Sequence, residues 1–284
     1  MKPIRIVGVL VLLLFLAGCS STTFVYNRLD FLIPWNLDDY VDLNNAQEEQ
    51  LDELLVPFLQ WHRMQELPIY VEVLDQISND LDQTVTVQEL DALSESFEQA
   101  AQRLQDRGLQ WMFELGEQLS REQIQEFITE LRERQQDYEK KYLPRSDKEF
   151  REESYERLLD SVQDYMGRLD REQRAVLRDA SEQMLRSDTI WLAERAAWLD
   201  ELEILLQRQP GWQQQVRLAL ETRSQNPSPE YTAVYDHNRV VIETALLTII
   251  NGRTDKQDNR LRSEISELRE DLQILIEQGR EAGA

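Results

Sequence analysis

Residues 86–118 constrain the fold most. Leu90, Leu93, Phe97, Ala101, Leu104, Gly108, Trp111 and Leu115 recur at steps of three and four. That is the period of an amphipathic α-helix close to a coiled-coil seam. Gly108 on the seam is expected to admit a close neighbouring helix. The period returns through residues 120–143, at Ile124, Phe127, Ile128, Leu131, Tyr138 and Tyr142. Pro144 then breaks the chain. Residues 148–168 form another run, and residues 170–208 a long one through Val176, Leu177, Met184, Trp191, Trp198, Leu202 and Leu205. Gln209-Pro210-Gly211 stops it. A short run around Trp212–Leu220 follows. Tyr231–Ile250 reads as the most apolar helix, buried on several faces. The last helix carries Leu261, Ile265, Leu268, Leu272 and Leu275.

Upstream, apolar residues at Val25, Leu29 and Leu32 fit a short helix ended or kinked by Pro34. A run through Leu51, Leu54, Leu55, Phe58 and Trp61 contains Pro57 and meets Pro68, and each proline should bend or break it. The pattern resumes through Leu74 and Leu81. No stretch alternates with period two between turn signals, and 9 Gly with 8 Pro are few for 284 residues. The fold class is therefore all-α, a multi-helix array of antiparallel hairpins. Residues 24–278 read as a single helical domain, with lobes 24–143 and 146–278 separable at Pro144. Residues 279–284 should fray.

Four helix starts share one form: an apolar residue, a capping residue, and Glu or Gln three further on. They are Asn44 with Gln47, Thr86 with Glu89, Ser120 with Gln123, and Asp170 with Gln173. This is a capping box, in which cap and N3 side chains satisfy each other's backbone amides.

The N-terminus carries a different signal. Lys2 and Arg5 precede an apolar run from Ile6 to Leu16, followed by Ala17-Gly18-Cys19. A charged start, an apolar middle and small residues at a cleavage point mark an exported chain. Cys19 is the sole cysteine. The run is about half the roughly 20 residues a spanning helix needs. Leu16-Ala17-Gly18-Cys19 resembles the lipobox of bacterial lipoproteins. The resemblance implies a signal peptide over residues 1–18, lipid on the Cys19 sulfur, and a short tether over 19–23. Ser20, rather than Asp, follows the cysteine, which in Gram-negative lipoproteins implies the outer membrane. Two or three acyl chains would hold the protein stably, where one holds only marginally. Four residues separate Cys19 from Phe24, a reach of about 15 Å at most. Phe24, Tyr26, Phe31 and Trp35 either dip into the membrane interface or plug the end of the helical core.

Two family resemblances follow from particular residues. Tyr26-Asn27-Arg28-Leu29-Asp30, Leu32-Ile33-Pro34-Trp35, Asp38-Asp39-Tyr40 and Trp61-His62-Arg63 with Glu66-Leu67-Pro68 resemble a family of uncharacterised all-helical lipoproteins of Gram-negative bacteria. That family implies no activity. Leu119-Ser120-x-x-Gln123 and Leu169-Asp170-x-x-Gln173 are similar to the Leu-Thr-x-x-Gln signature of small periplasmic helical chaperones, although neither carries Thr and a capping box accounts for both.

The formal charge of −23 repels DNA and RNA, so no nucleic-acid partner is expected. With two histidines and one cysteine that lipid would consume, neither a zinc site, a disulfide nor a cofactor is expected. Trp61, His62, Arg63 and Glu66 form the one candidate functional cluster, weighed against a hydrogen-bonded structural histidine. His237 could sit in a second polar site. Asp38, Asp39 and Asp42 form an acidic cluster without the ligand spacing of a calcium loop. Trp111, Trp191, Trp198 and Trp212 read as core. Three functions fit: an envelope interaction or scaffold protein, chaperone-like and held to the membrane through Cys19; a carrier of an apolar ligand between helices; or a hydrolytic enzyme. The protein partner is not specified by the sequence.

Overall fold

The computed structural model describes residues 21–282; Cys19 and the signal-like segment lie outside them. The fold is all-α, with no strand among the described residues. Two short helices, α1 (Ser21–Tyr26) and α2 (Leu29–Leu37), lead into α3 (Asn45–Trp61), a π-helical turn (His62–Glu66) and α4 (Leu67–Asp80). Next come α5 (Val87–Gln118), α6 (Arg121–Tyr142), α7 (Asp147–Met166) and α8 (Arg171–Gln183). The chain finishes with α9 (Asp188–Leu205), α10 (Trp212–Gln225), α11 (Pro229–Asn251) and α12 (Asp255–Ala282).

None of the three prolines breaks its helix, so the breaking part of the expectation is not met. Pro57 sits inside α3, and Pro34 inside α2. Pro68 occupies the first turn of α4, where its missing amide costs little. The π turn makes this fit: the Leu67 amide bonds back to the His62 carbonyl, five residues away. The chain thus runs from Asn45 to Asp80 without leaving helix.

Helix packing extends across Pro144. The most extensive helix–helix packing joins α4 to α12, from opposite ends of the chain. Leu67, Leu74 and Leu81, at seven-residue spacing, meet Ile265, Leu272, Leu275 and Ile276 in one core cluster. Each such side chain contributes about 1.5–3 kcal/mol on burial. Asp75 and Arg269 flank the seam as an ion pair at 2.6 Å. A second cluster joins α7, α8 and α11 through Val162, Met166, Leu177, Ala245 and Ile249. Ile250 and Leu261 pack against both clusters, so the two are continuous.

α12 is helical as far as Ala282. Gly279 lies so close to the π turn that a Cβ there would meet Arg63 Cδ at 2.7 Å and Met64 Sδ at 2.8 Å. A Cβ on Gly108, by contrast, would meet only Trp111 and Met112 of its own helix. Other expectations are corrected. α11 buries one narrow seam, Tyr231, Asn238, Ala245 and Ile249, and leaves Val240 exposed. The run 170–208 is two helices. Asn238 breaks it: its amide accepts from the Leu185 N–H at 2.7 Å and donates to the Leu185 carbonyl at 2.8 Å. Asn251 brackets Val85 in the same way.

All four sequence-read capping boxes are formed, and Ser146 with Glu149 and Thr254 with Gln257 add two more. The residue at N3 follows its surroundings. Gln47 and Gln123 donate to each other's Oε1 at 3.0 and 2.7 Å, while each oxygen also accepts its own cap amide. Gln173 and Gln257 repeat the arrangement at 3.0 and 2.8 Å, joining the starts of α8 and α12. An amide both donates and accepts, whereas an ionised carboxylate only accepts, so glutamine rather than glutamate stands where two helix starts meet. Glutamate stands at the exposed starts, Glu89 and Glu149. This accounts for the Leu-x-x-x-Gln form without a binding role. Gln173→Glu should therefore lower stability by about 1–3 kcal/mol, because a buried donor is lost and like acceptors face each other. Glu89→Gln should change it by under about 0.5 kcal/mol. Equal denaturant midpoints for Gln173→Glu and wild type would refute the paired-amide reading.

Candidate functional site

The four candidate residues lie on the π turn and the last residue of α3. The wide turn spreads them: two face the buried α1 contact and two face α5. His62 and Arg63 meet α1. The Tyr26 hydroxyl lies 2.8 Å from His62 Nδ1, with the rings stacked at 5.7 Å between centroids. Tyr70 meets the same imidazole edge-on at 5.7 Å. Arg63 donates to Asn27 at 2.8 Å and lies over the Tyr26 ring. The two segments of the first resemblance, Tyr26-Asn27 and Trp61-His62-Arg63, are thus joined in space.

Burial, aided by Arg63, pulls His62 down from 6.5 to about 4. Burial likewise pushes Tyr26 up to about 12, against the opposing influence of Arg63. The imidazole is therefore neutral at pH 7, and its Nδ1 can accept a hydrogen bond from the Tyr26 hydroxyl. The sign of the pH effect follows. A folded pKa below the unfolded one means the unfolded chain binds the extra proton. His62 contributes stability above about pH 6.5 that is lost as pH falls towards 4. The contribution is about 2–3 kcal/mol. His62→Asn should flatten the stability profile between pH 6.5 and 4 relative to wild type; parallel profiles would remove His62 as the cause.

Glu66 and Trp61 face α5. Glu66 is 2% exposed and forms a bidentate pair with Arg103, three contacts at 2.8–3.0 Å. Arg107 lies over the Trp61 ring at 5.7 Å. Trp61, Glu66, Ile69, Arg103, Arg107 and Gln110 line an open depression of about 450 Å³. Its charged groups, which include Asp106, are already engaged: Glu66 by Arg103, Asp106 by Gln102 at 3.0 Å, and Arg107 by Gln110 at 3.0 Å. The arrangement presents no nucleophile with a base in reach. Tyr26, Tyr70 and Arg103 complete the cluster and were not singled out from the sequence as site residues.

The remaining candidates lie apart. His237 is exposed, with Nε2 2.8 Å from the Gln183 carbonyl. Asp39 is 3.8 Å from Arg134, which also stacks on Tyr40. The Asp42 amide donates to Glu126. Among the described residues no group of three His, Cys, Asp or Glu is placed to hold a metal ion. Of the four tryptophans read as core, Trp212 is fully buried, against Phe113, while Trp111, Trp191 and Trp198 are partly so.

No curated protein and no solved structure matches the chain. A family match spans residues 39–232, from just past α2 into α11, and includes Trp61–Glu66 and Arg103. The chain belongs to that family, DUF6279, a family of unknown function.

Proposed function

We propose that the protein is a lipoprotein anchored to the periplasmic face of the outer membrane through Cys19, acting there as an interaction or scaffold protein. The observation that carries this is Leu16-Ala17-Gly18-Cys19, placed after a charged start and a short apolar run and holding the only cysteine. Among the described residues no helix is long and apolar enough to cross a membrane. The rest of the body supports an interaction role over chemistry. His62, Glu66 and Arg103 are tied into one another or into the core, and the depression beside Trp61 is open and charged rather than enclosed and apolar.

Membrane fractionation with labelled palmitate tests the anchor: label on the protein and recovery in the outer-membrane fraction are expected. Solvent extraction of the purified protein, followed by mass spectrometry, tests the role. A stoichiometric apolar molecule beyond the acyl chains would favour a carrier instead.

A further inference from the structure

The exposed aromatic edge of α1 and α2 has the form of a membrane contact. Phe24, Phe31 and Trp35 are 55%, 65% and 60% exposed, whereas Tyr26 between them is buried at 4%. The edge therefore does not plug the core. α1 passes into α2 through near-helical bonds, Asn27 to Thr23, Arg28 to Val25 and Leu32 to Arg28. Phe31 and Trp35, four residues apart, share one face of α2. Arg28, between α1 and α2, lies over the Phe24 ring at 3.9 Å. Ile33 and Leu37, on the opposite face of α2, pack against Leu51 and Leu55, and this fixes the stripe outward.

What covers the stripe is set by what precedes it. α1 begins at Ser21, two residues after Cys19. With those residues at full stretch and three more as helix, Phe24 lies within about 12 Å of Cys19. Phe31 and Trp35 continue the line by about 1.5 Å per residue. A lipid-bearing Cys19 would hold this edge against the bilayer surface, where aromatic rings are favoured. The net charge of −23 rules against attraction to anionic headgroups, which leaves the aromatic rings and the guanidinium of Arg28 as the attractive groups.

We propose that Phe24, Phe31 and Trp35 insert into the headgroup region of the membrane, docking the body flat against the lipid surface instead of leaving it loose on a tether. This rests on the lipid anchor at Cys19. Of the six tryptophans, all among the described residues, Trp35 alone is exposed, which supplies a probe.

The test reconstitutes the full-length lipidated protein in phosphatidylcholine vesicles. These carry bromine on the acyl chain either near the headgroup or near the chain end. Flotation with the vesicles comes first, and circular dichroism verifies the fold of each variant. Near-headgroup bromine should quench part of the tryptophan emission, several-fold more than chain-end bromine. Trp35→Phe, which keeps an aromatic ring, should remove that quenched part. Equal quenching of wild type and Trp35→Phe, or none in either, by protein that floats would overturn the docking and leave the anchor intact. Failure to float would overturn both.

Discussion

Arg103→Ala is expected to lower folding stability by about 3–4 kcal/mol, a large part of the roughly 5–15 kcal/mol that holds a typical domain. The reason is asymmetry within the pair. Glu66 is 2% exposed and Arg103 is 34% exposed. Removing the arginine leaves a buried carboxylate facing Trp61 and Ile69 with no cation. Arg103 itself stands partly in water, so screening keeps the loss near the lower end of what breaking a fully buried pair costs. Glu66→Gln should cost less, because the guanidinium it leaves behind can still be hydrated. The order of the two variants carries the prediction. Chemical denaturation of both, with the double variant Arg103→Ala and Glu66→Gln, gives the coupling. A smaller loss for Arg103→Ala than for Glu66→Gln would show that the pair is not the anchor between the π turn and α5. Such a result would free Arg103 and Arg107 to be considered as a cationic surface beside Trp61.

The helices were legible because their signal is local. Three-four spacing and capping boxes lie within a few residues of each other, and the box at Ser120 is readable from Leu119 to Gln123 alone. What was not legible depends on partners far along the chain. Nothing in Met184–Ser187 announces a break, since no Gly or Pro stands there. The break exists because Asn238, 53 positions away, supplies the hydrogen bonds that helix would otherwise provide. Gly279 reads as a fraying end until Arg63 and Met64 are placed beside it. Pro68 reads as a breaker because the π turn before it has no sequence mark of its own. The candidate cluster shows the same division. Trp61, His62, Arg63 and Glu66 attract notice by proximity in sequence, but the turn sends them to different partners. Their meaning comes from Tyr26 and Arg103, each 36 or 37 residues away. The Gln-bearing caps were visible, yet the pairing of Gln47 with Gln123 and of Gln173 with Gln257 was not. For that reason a structural amide pair resembled a chaperone signature.

Cys19→Ala is expected to abolish incorporation of labelled palmitate, an all-or-none effect. Cys19 is the only thiol in the chain, so no second acceptor exists. Ser20 and Ser21 cannot replace it, because an unactivated hydroxyl is a weak nucleophile. Without lipid, the precursor should stay uncut at this point and held by its apolar run, or be released if another peptidase cuts nearby. Ser20→Asp should act on a separate step. It leaves the sulfur and its acylation untouched, and should move labelled protein towards the inner membrane where the sorting preference for Asp operates. The two variants therefore separate attachment from destination in one fractionation experiment. Label persisting on Cys19→Ala would refute the lipid anchor, and with it the reason for the aromatic edge to meet a bilayer. Wild type carrying label but recovered only from the inner membrane would keep the anchor and reject the outer-membrane placement. In that event Phe24, Phe31 and Trp35 would still lie within about 12 Å or a few helical turns of the acyl chains, because their distance from Cys19 is fixed by the chain and not by the membrane that receives it.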